Sequence, residues 1–382
     1  MTKGAARQKR SRSFGDKLFG RVSWSSTTTA TSTSIPSVVD SNPYGIKVLY
    51  TAPTVDPVAD VIFIHGIKGH REHTWSQGAD GQEPWPQTLL PLRIPNVRIL
   101  TFGYDANPIA WRVSVSVNRI GDHSNNLLGA IAMHRQDNKS SSTRPIIFVA
   151  HSLGGLVCKD ALLSSRSSAD ERIRRIYECT SGIIFLGTPH SGASLATVAH
   201  RLARLLALTT LPKSNLRILR VLEKDSEVLA RIQADFYALL QTPRQRRSDG
   251  MLLKPLTVSC FHEELKYPGL GEVIVPADSA VLHGYGPGLG IHAHHKDIAR
   301  FGDENAPGFE SVVGELQRLI NEIGIITDSS KEPDAGPSGK EGDAKTGRQQ
   351  LYGGIEIWGN VIKSNVVSGN QTVHGDLKFG GG

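Results

Sequence analysis

The stretch IIFVAHSLGGLVCKDAL, residues 146–162, constrains the fold more than any other part of the chain. An unbroken apolar run ends at Ala150-His151-Ser152-Leu153-Gly154-Gly155 and gives way to a helical pattern. A serine lifted above a sheet at such a strand-to-helix turn needs small residues two places before it and two places after it. Ala150 and Gly154 meet that requirement, with Ala150 standing where glycine is usual. The spacing therefore predicts a nucleophile elbow at Ser152 inside an α/β sheet.

The rest of the chain supplies such a sheet. Apolar, β-branched runs recur as IKVLYTA (46–52), DVIFIHG (60–66), RILTFGYD (98–105), GIIFLGTP (182–189) and KPLTVSCF (254–261). Runs that are apolar on both faces read as buried parallel strands. The helical patterns NNLLGAIAMHRQ and GGLVCKDALL supply the crossovers, so the expected fold is α/β, with a mostly parallel sheet covered on both sides. Between 193 and 242 two long amphipathic patterns, ASLATVAHRLARLLALTT and LRILRVLEKDSEVLARIQADFYALLQT, read either as a helical cap over a pocket or as core-packing helices.

A serine hydroxyl is a weak nucleophile and needs a base, an acid to orient the base, and donors for an oxyanion. The turn FIHGIKGH (63–70) follows an early strand, so the backbone N–H groups of Ile67 and Leu153 are the candidate oxyanion donors. Carboxylates gather at Glu263 and Glu264, at the end of LKPLTVSCFHEE, with Glu272 and Asp278 further on. IHAHHKDIARF (291–301) offers His292, His294 and His295 as the base, which gives the order serine, acid, histidine. Spacing does not choose among the three. The same run has residue types that bind metal, but a zinc site would want a further ligand of suitable geometry. The chemistry expected calls for neither cofactor nor metal.

Composition narrows the function classes. The net charge of +7 is concentrated in residues 1–22, where Lys3, Arg7, Lys9, Arg10, Arg12, Lys17 and Arg21 face only Asp16. The body is left near neutral, which argues against a nucleic-acid partner for the folded domain. Three cysteines without CxxC spacing suggest neither a disulfide framework nor zinc, and so a reducing, cytoplasmic setting. No apolar run reaches the roughly 20 residues that span a bilayer. The Arg- and Ser-rich start, with Phe14, Leu18, Phe19 and Val22 at helical spacing, also resembles a mitochondrial presequence. The expected organisation is a basic Ser/Thr-rich disordered segment (1–41), the α/β domain (42–325, cap about 193–242), a flexible linker (326–353) and a terminal motif (354–382).

Together, VIFIHGIKGHREHTW, IPNVRILTFGYDANP, PIIFVAHSLGGLVCKDAL, IIFLGTPHSGASLA and IHAHHKDIARF resemble the α/β-hydrolase domain of the fungal SesB-like family, over roughly residues 42–322. Members are serine esterases or lipases encoded with, or fused to, NOD-like receptors in fungal incompatibility. The resemblance implies Ser152 as nucleophile, His295, six residues before Phe301, as base, and Glu263 as acid. His262 stands where the family tends to have tyrosine, and Glu264 adjoins, so Glu264 and Glu272 remain alternative acids.

Family members often end in a prion-forming motif of the HET-s class behind a flexible linker. Residues 354–382 resemble one: Val361-Ile362 and Val366-Val367 sit among Asn, Gly, Ser and Thr, with no proline. Asn and Gly tolerate the corners of a β-solenoid, and apolar residues fill its dry interior. The resemblance implies an ester or lipid substrate and self-assembly through 354–382. It also implies activation by a NOD-like receptor with a matching motif, and a cytoplasmic protein that associates with membranes once activated. A hydrolase-fold scaffold with dispensable chemistry, recruited by its tail, is the rival class.

Overall fold

Each of the six apolar runs forms a strand: β1 (Gly45–Thr51), β2 (Asp60–Ile64), β3 (Arg98–Gly103), β4 (Ile146–His151), β5 (Thr180–Leu186) and β6 (Thr257–Glu263). A seventh, β7 (Leu289–Ile291), completes a sheet of order β1-β3-β2-β4-β5-β6-β7. Only β1 runs antiparallel, against β3, and every other pairing is parallel. The computed structural model describes residues 42–78, 82–106, 118–136, 139–190, 195–208, 226–244, 247, 250, 253–286, 288–329, 356–358 and 361–363. The basic segment 1–41 lies outside them.

Alternation along the buried strands explains why both their faces are apolar. Ile146, Phe148 and Ala150 of β4 join one core, and Ile147 and Val149 join the other. The first face is covered by α1 (Asn118–His134) and α2 (Gly154–Arg166), the second by α6 (Phe309–Ser329), through Val312, Val313, Leu316 and Leu319. α3 (Glu171–Cys179) begins where Asp170 caps the Arg172 amide at 2.9 Å, with Glu171 favourable in its first turn. At the foot of the sheet, buried Asp60 is bound by Arg98, Arg135 and Arg144.

Two helices represent the expected cap, α4 (Leu195–Leu208) and α5 (Ser226–Gln241). α4 takes both roles: Leu202 and Leu205 border the cavity above Ser152, and Val198 and Leu202 join the core, to which α5 adds Ile232, Phe236 and Leu239. No described helix is long and apolar enough to cross a membrane. The chain divides into two units, Met1–Ser329 and Ser330–Gly382. α6 continues to Ser329, so the residues 326–329 assigned to the linker are helical. Of the expected terminal motif, the described residues are Glu356–Trp358 (β8) and Val361–Lys363 (β9), which pair antiparallel.

Candidate active site

Parallel strands deliver their carboxyl ends to one edge of a sheet, which is where functional groups collect in such folds. Ser152 follows β4 directly and is held at φ 53°, a conformation few non-glycine residues take. The turn is fixed on several sides. The Ser152 amide donates to the Leu186 carbonyl at 2.9 Å, and Thr188 Oγ1 donates to the Ser152 carbonyl at 3.0 Å. A Cβ on Gly154 would lie 2.3 Å from the His65 carbonyl oxygen, so the elbow tolerates only glycine there. Ala150 fits at the first small position with its side chain fully buried.

His295 Nε2 lies 2.9 Å from Ser152 Oγ, and its Nδ1 lies 3.1 Å from Glu263 Oε2. All three residues are buried. A carboxylate only accepts, so Nδ1 carries the proton and Nε2 is free to take one from the serine. The other oxygen of Glu263, Oε1, accepts from the Ile274 and Val275 amides at 2.8 and 2.7 Å. Burial alone would raise the Glu263 carboxyl. The electrostatic interaction with the neighbouring His295, its hydrogen bond and the amide donors outweigh that and hold it below its ordinary range.

The remaining candidates are placed elsewhere. Glu264 is exposed and pairs with His292 at 3.2 Å, and His292 is exposed with it. Glu272 binds Arg201, at 3.1 Å, and Arg204, both on α4. Asp278 lies exposed in the short helix Ala277–Ala280. His294 stacks edgewise near Tyr267. Among the described residues no group of three or more His, Cys, Asp or Glu is arranged to hold a metal ion.

The amides of Ile67 and Leu153 donate to no protein acceptor among the described residues. The loop carrying Ile67 passes so close to the elbow that a Cβ on Gly66 would sit 2.8 Å from Ser152 Cβ. His65 holds this loop: its Nδ1 donates to the Gly66 carbonyl at 2.9 Å, and its ring stacks on Tyr104.

Sequence reasoning missed several supporting residues. His151 Nε2 donates to the His295 carbonyl at 2.9 Å, and burial lowers its ring to about 3, so it stays a neutral strut. Gly187, at φ 56°, leaves room for the His295 ring; a Cβ there would lie 3.1 Å from His295 Nδ1. Trp85 Nε1 donates to the Ala299 carbonyl at 3.0 Å and anchors the segment after His295. The glycine in FLGTP and the histidine before the serine were the only sequence signals, and neither reveals its partner.

A mostly parallel sheet, a serine at a strand-to-helix elbow, and an imidazole and carboxylate from later strand ends together define an α/β-hydrolase fold. No family model matches the chain. In sequence it is similar to protein SERAC1 of Homo sapiens, 32% identical over 278 residues, which are 67% of this chain and 38% of that protein. The SERAC1 of Mus musculus is 28% identical over 275 residues, with the same coverage. The chain thus spans only 38% of the length of the curated relatives it matches. Among solved structures it is similar to Bacillus licheniformis lipase BlEst2, at 16% identity and a TM-score of 0.42, covering 73% of this chain and 99% of that one. It is also similar to esterase B from Lactobacillus rhamnosis, at 11% identity and a TM-score of 0.40, covering 76% and 89%.

Proposed function

We propose that the protein is a serine hydrolase that cleaves carboxylic esters, with Ser152 as nucleophile, His295 as base and Glu263 as the acid that orients it. The observation that carries this reading is the continuous chain of hydrogen bonds Ser152–His295–Glu263, at 2.9 and 3.1 Å. Ser152 Oγ attacks the acyl carbon while His295 Nε2 takes its proton. The carbonyl oxygen becomes an oxyanion that accepts from the Ile67 and Leu153 amides. On collapse the C–O bond to the alcohol breaks, and His295 returns the proton to the leaving oxygen. Water, deprotonated by the same imidazole, then releases the acid and restores Ser152.

Labelling by a fluorophosphonate probe tests this reading. Wild type should label, and Ser152→Ala should lose labelling and ester turnover while staying folded, leaving only residual oxyanion and binding contributions. Labelling that persists in folded Ser152→Ala would remove Ser152 from the mechanism. No labelling of wild type would favour the scaffold alternative, in which the fold is retained without chemistry.

The finer reading is that lipid esters are the substrates and that the enzyme acts as a cell-death effector. The apolar cavity wall of α4 supports a lipid acyl chain. The effector role rests on the SesB-like motifs and on the proline-free tail rich in Gly, Asn and Val. In this reading a NOD-like receptor with a matching motif seeds amyloid in 354–382 and gathers cytoplasmic hydrolase domains at a membrane. A mitochondrial destination would rest on the basic start alone.

A further inference from the structure

The cavity above Ser152, about 360 Å³, is unevenly lined. Its lining includes the apolar residues Ile67, Leu202 and Leu205 and the nitrogen-bearing residues Lys68, His70, His73, Lys296 and Arg300. Among the described residues that line it, none is Asp or Glu. Several cations away from the cavity are paired with carboxylates. Arg98, Arg135 and Arg144 converge on Asp60, and Arg201 and Arg204 on Glu272.

Lys296 is exposed, and Arg300 donates from Nη2 to the His73 carbonyl at 3.2 Å while its Nε is buried with no partner among the described residues. The Lys68 ammonium is lowered by burial and by the nearby charge of Lys296. Lys296 and Arg300 line a cavity with no acid among its described lining residues, a setting that attracts an anion.

Chemistry decides on which side of the ester that anion lies. The imidazole that protonates the leaving oxygen must face the alcohol portion. Lys296 follows His295 directly, and Arg300 closes the short 3-10 turn Asp297–Ala299, so both cations are carried by the segment that carries the imidazole. The apolar wall of α4 is left for the acyl chain.

We propose that the site selects esters whose alcohol portion carries an anionic group, a phosphate or a carboxylate. Arg300 and Lys296 receive the charge, and Leu202 and Leu205 receive the acyl chain. The inference rests on Ser152, His295 and Glu263 being the hydrolytic machinery.

The test compares three soluble esters of one acyl chain: octanoyl glycerol, octanoyl glycerate and octanoyl glycerol 3-phosphate. One charge-assisted hydrogen bond supports a gain of about tenfold in kcat/KM, expressed mainly in KM. At least one anionic ester should show that gain over octanoyl glycerol, and comparison of the two anionic arms identifies carboxylate or phosphate as the group read. The ratio should shrink as ionic strength rises from about 0.02 to about 0.5 M. It should fall to one or below in Lys296→Glu, at an exposed position that does not threaten folding. Arg300→Lys should lower it part of the way, because a point charge replaces the guanidinium fork.

Equal kcat/KM for all three esters would overturn the anion preference and leave the hydrolase reading intact. A preference that survives in Lys296→Glu and Arg300→Lys would also overturn it, by removing these cations from recognition. No turnover of any ester, with no fluorophosphonate labelling, would overturn the hydrolase reading beneath it.

Discussion

Glu263 and Glu264 are neighbours in sequence and opposites in surroundings. The strand alternates its side chains, so Glu263 enters the interior to meet His295 and two amides, while Glu264 turns out to His292 and solvent. Glu263→Gln should therefore lower kcat by about three to four orders of magnitude, since the imidazole loses the anion that fixes its tautomer and balances its charge. Glu264→Gln should change kcat less than about twofold, as expected for an exposed pair. Steady-state kinetics on one ester decides between them, and the reverse ranking would move the acid to Glu264. The Glu263 carboxyl lies below its ordinary 4.5 in the folded protein. Its stabilising contribution is thus complete above pH 4.5 and is lost only as pH falls through the lower, folded value. Chain order and family motifs made Ser152, Glu263 and His295 legible in sequence. Gly187 and His151 were not, because what they do depends on His295, which the fold brings from far along the chain.

At the scale of elements, strands β1 to β6 were legible because each is a long apolar run, whereas β7 has only the three residues Leu289–Ile291 and offers no pattern to read. The role of α5 was legible only in part, because its helical periodicity does not show what it packs on. Lys159 of α2, fully buried, donates to His190 Nδ1 at 2.6 Å and to Gln233 Oε1 of α5. Its Nζ also lies 5.2 Å from the Phe185 ring and 5.3 Å from the Phe236 ring. Burial lowers this ammonium from 10.5 to about 7. Between those values the unfolded chain holds a proton that the folded one has lost, so stability rises with pH across that interval. Below about 7 the cost is present in full. His190 is held well below 6.5 by burial and by the Lys159 charge, and it acts in the same direction only at lower pH. Cys260, raised to about 11 by burial, acts only above its ordinary 9.0. Within this cluster, then, Lys159 alone governs pH 7 to 9. Thermal melting should give a higher Tm at pH 9 than at pH 7, and Lys159→Met should flatten that difference. An equal slope in the variant would show that the lysine is charged in the fold throughout, with the aromatic rings compensating it.

At the scale of the whole molecule, Ser152, His295 and Glu263 all belong to the unit Met1–Ser329, and the tail belongs to the unit Ser330–Gly382. Sequence composition separated the two because the segment 328–349 is polar and lacks periodicity, although α6 still carries the helix to Ser329. If the tail is an address and the first unit the chemistry, the two must be separable by mutation. A proline at Val366 would remove a ladder donor and fix φ, which cross-β stacking does not tolerate. It would leave Ser152, His295 and Glu263 untouched. Full-length Val366→Pro should therefore turn over soluble ester at the wild-type rate, within about twofold, and fail to form fibrils when seeded with preformed wild-type fibrils, followed by thioflavin fluorescence and sedimentation. Wild type should form fibrils under the same conditions, because a proline-free run near neutral charge can satisfy its backbone groups by stacking on copies of itself. In cells that co-express a seeding receptor motif, killing should need both an intact Val366 and an intact Ser152. Killing by Val366→Pro would show that the tail is not the trigger. Killing by Ser152→Ala, with fibrils intact, would assign the toxicity to the assembly and leave the hydrolase without a part in it.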